Sequence, residues 1–168
     1  MAKTKQTAQN RSPRKTSNGT QKDAIALLKA DHRQVEEWFG EFEKAKDGKR
    51  KVALAKQICN ALMVHAQIEE EIFYPAAREV EDAESLLNEA EVEHSTAKDL
   101  IATLDEMDAN EEMFSATFTV LSEYIKHHVK EEEGELFPKV KKSGLDLDAL
   151  GQELAARAED LMATQATA

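Results

Sequence analysis

Residues 65–75, HAQIEEEIFYP, decide the fold, because the chain repeats them as HVKEEEGELFP at residues 128–138. In both copies a histidine precedes a glutamate by four residues, a second glutamate by five and a proline by ten. Two further histidines, His32 and His94, are separated by nearly the same interval as the two copies. The chain is therefore one unit written twice, each unit holding a lone histidine and then His-x-x-x-Glu-Glu. Internal repetition of this kind determines the architecture.

Apolar residues recur at helical spacing along both units. Around His32, for example, Ile25, Leu28, Val35 and Phe39 follow one another at steps typical of an amphipathic helix. Each unit thus predicts a helical hairpin, and the fold class we expect is all-α, an up-down-up-down four-helix bundle. We expect its helices near residues 24–47, 49–73, 82–109 and 111–138, with Asn110 as an N-cap. Pro75 should end or kink the second helix, and Pro138 should end the fourth.

The chain divides into three parts. Residues 1–22 carry six basic and no acidic side chains and almost no large apolar ones, a composition typical of a disordered tail. Residues 23–142 hold the bundle. Residues 143–168 predict a C-terminal amphipathic helix, which either packs along the bundle or forms a dimer contact, so we expect a monomer or a weak homodimer.

Charge and cysteine content narrow the classes of function. Outside the basic tail the chain has 16 basic and 33 acidic side chains, and such an acidic body repels nucleic acid. No run of apolar residues is long enough to predict a membrane span. The single cysteine, Cys59, leaves no internal disulfide, which favours a reducing, cytoplasmic location.

Each predicted helix places one histidine on its apolar face, and two of them add a glutamate one turn later. In a bundle these side chains converge at the centre: His32, His65, Glu69, His94, His128 and Glu132. A lone inward histidine is more often a hydrogen-bonded core residue, but four in register with two carboxylates favour a metal site. Imidazole combined with carboxylate suits a first-row transition metal such as iron. Six such ligands suit two metal ions that share the carboxylates.

These residues resemble the hemerythrin-like proteins with an HHE cation-binding domain, over about residues 23–142. The most specific parts are His65-x-x-x-Glu69-Glu70 followed by Phe-Tyr-Pro, and the matching residues of 128–138. The resemblance implies a four-helix bundle around a non-haem di-iron centre, with two iron ions as cofactor. It also implies terminal ligands at His32, His65, His94 and His128 and bridging carboxylates at Glu69 and Glu132.

Two ligand assignments have an alternative one residue away. His127 also has a glutamate four residues after it, but we prefer His128 because it shares the apolar face of its helix. Oxygen-carrying hemerythrins place the second bridge five residues after the histidine, which is Glu133 in this chain. The HHE pattern favours Glu132.

Lys98 departs from the pattern of the oxygen carriers, which have a further histidine four residues after the third-helix ligand. A protonated amine does not bind iron. One iron would then keep an open or water-filled position, or recruit another carboxylate such as Glu91. More open coordination favours chemistry with oxygen, peroxide or nitric oxide over reversible oxygenation alone.

The sequence therefore predicts a non-haem di-iron protein that binds O2 or a related small oxidant, in oxygen handling or in oxidative or nitrosative stress. One alternative is an enzyme that removes peroxide or reduces nitric oxide at the same centre. Another is an iron or oxygen sensor, in which metal binding stabilises the folded state that a partner recognises.

Overall fold

The structure, a computed structural model, describes residues 22–109 and 111–167 of the chain. Within these ranges all regular structure is helical. The α-helices are α1 (Ala24–Lys44), α2 (Gly48–Ile68), α3 (Tyr74–Ala77), α4 (Glu84–Glu106), α5 (Glu112–Glu131), α6 (Phe137–Lys142) and α7 (Leu147–Thr167). Two π-helical turns join α2 to α3 and α5 to α6 without a break: π1 (Glu69–Phe73) and π2 (Glu132–Leu136).

Four long rods form the bundle: α1, the continuous α2–π1–α3, α4, and the continuous α5–π2–α6. Helix α1 packs along α2, and α4 packs along α5. Short connections within each hairpin make these neighbours antiparallel. The prediction of an all-α, up-down-up-down four-helix bundle is confirmed.

Both motif prolines lie inside their rods, where we expected them to end helices. Pro75 and Pro138 each stand in the first turn of the short helix that follows a π turn, and the rods continue beyond them. A proline has no N–H and clashes with the carbonyl four residues back in a regular α-helix. The π turn inserts one residue and changes this hydrogen-bond pattern, with the Tyr74 N–H bonded to the Glu69 carbonyl. The expected ends were wrong because the π turn accommodates the proline.

Aspartates begin the first two helices. The Asp23 carboxylate accepts a hydrogen bond from the Ala26 N–H at 2.8 Å. The Asp47 carboxylate accepts one from the Arg50 N–H at 3.2 Å. Each satisfies a backbone donor that has no partner within its helix.

Helix α7 packs along the bundle against α1, α2 and π1, which is one of the two positions that the sequence left open. Leu154 is fully buried in this contact. Gly151 has to be small, because an added Cβ would lie 2.5 Å from the Lys22 carbonyl oxygen. The Arg157 guanidinium donates to both Glu71 oxygens, at 2.7 and 3.1 Å. The C-terminal helix therefore rests against the turn that begins with Glu69.

The core consists of two apolar clusters with a polar layer between them. One cluster includes Phe39, Ile58, Leu62, Ile101, Phe118 and Leu121. The other includes Leu28, Ile68, Phe73, Leu87, Leu136 and Phe137. Between them lie the buried histidines and glutamates of the two repeated units.

Some sequence predictions fall outside the described residues. The basic tail of residues 1–22, for which disorder was predicted, lies there except for Lys22, and so does Asn110, the predicted N-cap. Helix α5 has Glu111 at its N-cap position. None of the helices in residues 22–109 and 111–167 is long and apolar enough to cross a membrane.

Candidate metal centre

The structure brings all six residues predicted as ligands together in the middle of the bundle, and all six are buried. The histidines come from four different helices: His32 from α1, His65 from α2, His94 from α4 and His128 from α5. The two glutamates, Glu69 and Glu132, are the first residues of the π turns.

The histidines form two pairs. The Nε2 atoms of His32 and His65 are 3.0 Å apart, and we call this pair the first half-site. The Nε2 atoms of His94 and His128 are 3.2 Å apart and form the second half-site. Both pairs turn their Nε2 atoms toward the centre of the bundle.

One carboxylate oxygen of each glutamate lies between the two half-sites. The Glu69 Oε2 atom is 3.3 Å from the Nε2 atoms of both His65 and His94. The Glu132 Oε2 atom is 3.4 Å from His32 Nε2 and 3.6 Å from His128 Nε2. Each glutamate therefore touches one histidine of each pair, as a bridging ligand must.

A carboxylate faces the outer nitrogen of every one of the four imidazoles. The pairs, with their Nδ1–oxygen distances, are His32 with Glu133 at 3.0 Å, His65 with Asp31 at 3.4 Å, His94 with Glu70 at 3.1 Å and His128 with Glu93 at 2.7 Å. A carboxylate holds the proton of a neutral imidazole on Nδ1 and leaves a lone pair on Nε2. The four inward nitrogens are thereby prepared to donate to a cation.

The repeat explains where these supporting carboxylates come from. The second glutamate of each Glu-Glu pair crosses to the other unit: Glu70 reaches His94, and Glu133 reaches His32. The acidic residue before each lone histidine supports the motif histidine of its own unit. Asp31 thus supports His65, and Glu93 supports His128. Our sequence reasoning missed this, although an acidic residue precedes the lone histidine in both units.

Three of the inward carboxylate oxygens have no hydrogen-bond partner. Both Glu69 oxygens and the Glu132 Oε2 atom are buried without a hydrogen-bond partner. Burying such groups unpaired costs several kcal/mol, by a rough measure, unless a cation is bound. Ligand atoms of His32, His65, Glu69 and Glu132 lie within 4.8 Å of one another, as do those of Glu69, His94 and His128. Glu69 belongs to both groups, so together they form one buried site whose imidazole and carboxylate donors suit a metal cation.

Neighbouring charges shift the pKa values of the inward groups against the effect of burial. Burial alone would lower the pKa of His65, but the carboxylates of Glu69 and Asp31 raise it well above its usual value. Burial alone would raise the pKa of Glu69, but His65 and His94 hold it well below its usual range. The pKa of His128 is also raised, against the effect of burial, chiefly by its bond to Glu93. A metal must therefore displace protons from this site.

His127 and Glu133, the alternative ligands considered from the sequence, lie at the edge of the metal site or outside it. His127 is 58% exposed at its side chain and contacts Glu131 at 3.3 Å. Glu133 is partly exposed, and it accepts from His32 Nδ1 and pairs with Lys29 at 2.9 Å. Glu91, the example given above of a carboxylate that an iron could recruit, is exposed and pairs with Arg78.

Lys98 and Tyr74 complete the surroundings. The Lys98 ammonium donates to both Glu70 oxygens at 2.7 Å. The buried Tyr74 hydroxyl donates to Glu132 Oε1 at 2.9 Å and lies 3.3 Å from His94 Nε2. Burial, with the charges of Glu69 and Glu132, raises the pKa of Tyr74 well above its usual value. Sequence reasoning treated this tyrosine only as part of the repeated motif.

A cavity of about 30 Å³ adjoins the four imidazoles. Its remaining wall is mainly apolar and includes Val35, Leu62, Ala97, Ile101, Ile125 and Val129, with Lys98 at one side. A single water needs roughly 10–15 Å³ on this measure. The cavity therefore admits only a very small molecule beside the four imidazoles.

Known proteins resemble the chain in sequence and in fold. The profile of the hemerythrin HHE cation-binding domain matches residues 23–140. A DNA nickase from Nostoc sp. is 27% identical over 115 residues, which are 68% of this chain but 32% of the nickase, so the chain spans about a third of that relative. A crystal structure of an HHE cation-binding domain-containing protein from Mycobacterium kansasii has a TM-score of 0.73 and 24% identity. That match covers 84% of this chain and 88% of the other, and it shows a shared fold.

Proposed function

The chain belongs to the hemerythrin HHE cation-binding domain family, and on that premise we propose that it is a non-haem di-iron protein that binds O2 or a related small oxidant. Its role would be in oxygen handling or in oxidative or nitrosative stress. The proposed ligands of the two iron ions are His32, His65, Glu69, His94, His128 and Glu132.

The observation that carries this proposal is the position of the two buried carboxylates between two pairs of inward nitrogens. Each of Glu69 and Glu132 approaches one histidine of each half-site within 3.6 Å. Two metal ions sharing both carboxylates would satisfy the unpartnered oxygens and the four Nε2 lone pairs at once. A single ion would leave one histidine pair without a cation.

Iron bound there would supply redox chemistry and a coordination position for a small molecule. The protein's own residues would orient the ligands and set the polarity of the adjoining cavity. The four outer carboxylates hold the imidazoles in orientation. Val35, Ile125 and Val129 keep the adjoining cavity largely apolar, which suits an uncharged diatomic ligand better than water or an ion.

Lys98 favours a second candidate, an enzyme that removes peroxide or reduces nitric oxide at the same centre. Its ammonium is fixed on Glu70, which in turn accepts from His94 Nδ1. The lysine therefore does not supply a fifth nitrogen ligand, which leaves coordination more open. It also places an exchangeable proton beside the cavity and one carboxylate away from a proposed ligand.

DNA cleavage is not part of the proposal. The nickase named among the relatives is about three times as long as the matched region, and the acidic body of this chain disfavours a polyanion. We propose a cytoplasmic location, because a single cysteine, Cys59, leaves no internal disulfide. Burial and the nearby Asp105 raise the pKa of Cys59 to about 12, so it stays a thiol.

Anaerobic loading with ferrous iron tests the proposal. We expect about two irons per chain, in line with the ligand count of di-metal bundles, and new visible absorption on adding O2. Adding peroxide and nitric oxide in separate samples distinguishes the candidates: repeated turnover of either supports the enzyme, and a single stoichiometric change supports the binding protein. Iron content near zero would refute both.

A further inference from the structure

The second unit carries two potential metal ligands that the repeat does not require. His127 and Glu131 directly precede the motif histidine and its glutamate, and the first unit has Val64 and Ile68 at the corresponding positions. Val64 and Ile68 are buried, whereas the His127 side chain is 58% exposed and the Glu131 side chain is 30% exposed. A histidine and a glutamate therefore lie together on the outer side of α5, and the first unit has no counterpart to them.

The Glu93 carboxylate approaches this pair from α4. Its Oε2 atom lies 2.7 Å from His128 Nδ1, and its Oε1 atom lies 3.7 Å from His127 Nε2. The Glu131 Oε1 atom lies 3.3 Å from the same His127 nitrogen. The Glu93 side chain is nine-tenths buried, and its Oε1 atom is farther from the imidazole than a hydrogen bond allows. One nitrogen therefore faces two carboxylates, and at least one of these contacts is not a hydrogen bond.

Glu93, His127 and Glu131, which we call the surface cluster, have the spacing of cation ligands. Their ligand atoms lie within 4.8 Å of one another. Metal–ligand bonds of about 2.1 Å in tetrahedral geometry put the donor atoms about 3.4 Å apart, and the two nitrogen–oxygen distances lie on either side of that value. One imidazole and two carboxylates leave a fourth position for water, a donor set that suits a divalent cation of the first transition row.

A small cavity touches both the surface cluster and the second half-site. It is lined by Glu93 and Glu131 of the cluster and by His128 and Glu132 of the proposed di-iron centre. Its volume is about 10 Å³, close to the roughly 10–15 Å³ that a single water needs. A cation at the surface cluster would therefore be separated from the centre by a space of about one water molecule.

We propose that the surface cluster binds a divalent cation and passes ferrous iron to the second half-site. The transfer step rests on the proposed di-iron function, whereas cation binding at the cluster does not. Glu93 is common to both places: its Oε1 atom is a ligand of the surface ion, and its Oε2 atom holds His128 in orientation. The ion exchanges the cluster's ligands for His128 Nε2 and Glu132, and it stays ferrous throughout. Its exposed histidine makes the cluster the weaker site, so desalting removes the surface ion and leaves the central iron.

Equilibrium dialysis against Zn²⁺ tests the surface cluster. The full chain is first loaded anaerobically with ferrous iron, oxidised with ferricyanide and desalted, so that the centre is already filled. We expect wild type to bind about one Zn²⁺ per chain, in line with a three-ligand site that keeps one position for water. His127→Ala and Glu131→Gln should each lose that Zn²⁺ at unchanged iron content and helicity.

Glu112→Gln is the matched control. It removes the same charge from an exposed position in the first turn of α5, so it should keep the Zn²⁺. Wild type without Zn²⁺, or Zn²⁺ bound equally by wild type and His127→Ala, would overturn the site and leave only an ordinary surface ion pair.

Loading rates test the transfer step. Metal-free protein is mixed anaerobically with ferrous iron and quenched at successive times with a chromogenic ferrous chelator, so that only protected iron is counted. A charged site that concentrates a cation raises its rate of arrival about 10–1,000-fold. We expect His127→Ala to load roughly tenfold more slowly than wild type, but to reach the same final iron content.

Equal loading rates in wild type and His127→Ala would overturn the transfer step while leaving the surface site to the Zn²⁺ measurement. Iron content near zero in wild type would instead refute the di-iron proposal and the transfer with it. The surface site would then be decided by the Zn²⁺ that metal-free wild type binds in excess of His127→Ala: about one ion would support it, and no difference would refute it.

Discussion

The two half-sites share one plan but differ in how firmly their outer carboxylates are held. In the second half-site, Glu93 is 9% exposed at its side chain and lies 2.7 Å from His128 Nδ1. In the first, the corresponding Asp31 is 44% exposed and lies 3.4 Å from His65 Nδ1. The shorter aspartate leaves the first half-site more open to solvent, whereas the second has a buried support and the Tyr74 hydroxyl. A repeated sequence has therefore produced two unequal positions.

Loss of a proposed ligand should have the largest effect, because both half-sites share their carboxylates. We expect His65→Ala and His128→Ala each to remove most of the bound iron rather than only one ion. Iron per chain, measured after anaerobic loading and desalting, checks this. His127→Ala is the matched control and should keep its iron, since that side chain is exposed. If His127→Ala were the damaging change, the register of α5 would be wrong by one residue.

Iron should also stabilise the fold. Binding to the folded state alone raises the free energy of unfolding by roughly 4 kcal/mol when free metal is about a thousandfold above its dissociation constant. Both Glu69 oxygens and the Glu132 Oε2 atom lack a hydrogen-bond partner without it, so the core should be less stable when no metal is bound. Thermal melts with chelator and with anaerobic ferrous iron compare the two states. Identical midpoints would mean that protein groups already satisfy these carboxylates.

Removing the charge of an outer carboxylate should lower metal affinity more in the second half-site than in the first. Changing a carboxylate that supports a metal-bound histidine commonly lowers metal affinity about 10–100-fold. We expect Glu93→Gln to fall within that range, and Asp31→Asn to fall below it because its contact is longer and half exposed. Competition with a chelator of known affinity measures both. Equal losses would show that the two halves are equally supported.

The sequence predicted the fold class and all six central side chains, because those depend on helical period and on the repeat. It did not predict the π turns, whose effect is to carry Pro75 and Pro138 within continuous rods. Helical period identifies which face a residue lies on, but it does not show a one-residue insertion in hydrogen bonding. The sequence also did not predict that Glu70 and Glu133 bond to histidines of the other unit. Such pairing depends on which helices become neighbours.

Iron affinity should fall as the pH is lowered, because protons and metal compete for the same nitrogens. The raised pKa of His65 means that this competition begins above the usual histidine range. In the metal-free protein, the His65–Glu69 pairing stabilises the fold fully below the unfolded histidine pKa, and this contribution is lost as the pH rises through the raised one. The lowered pKa of Glu69 affects stability at acidic pH. The ionised carboxylate stabilises the fold above the unfolded glutamate pKa, and this contribution is lost as the pH falls through the lowered pKa.

The gap in melting temperature between iron-loaded and metal-free protein should therefore widen from about pH 6 to about pH 8, with affinity changing about tenfold per pH unit for each proton released. Melts and chelator competition across that range measure both quantities. A gap that stayed constant with pH would mean that the inward nitrogens are already free of protons, contrary to the raised pKa of His65.

Removing the basic tail, residues 1–22, should have the smallest effect on iron content and helicity. The tail precedes the first unit and has no counterpart before the second. The histidine–carboxylate hydrogen bonds of both half-sites are made by residues from Asp31 to Glu133. We expect a chain that starts at Asp23 to keep its iron content and helicity, because the first capped turn then remains intact. In that shortened chain, Asp23→Ala is a positive control that should lower the free energy of unfolding by about 1 kcal/mol through loss of the cap. If the shortened chain instead lost one iron, the tail would contribute to the first half-site, and the inequality of the two halves would have to be traced to residues 1–22.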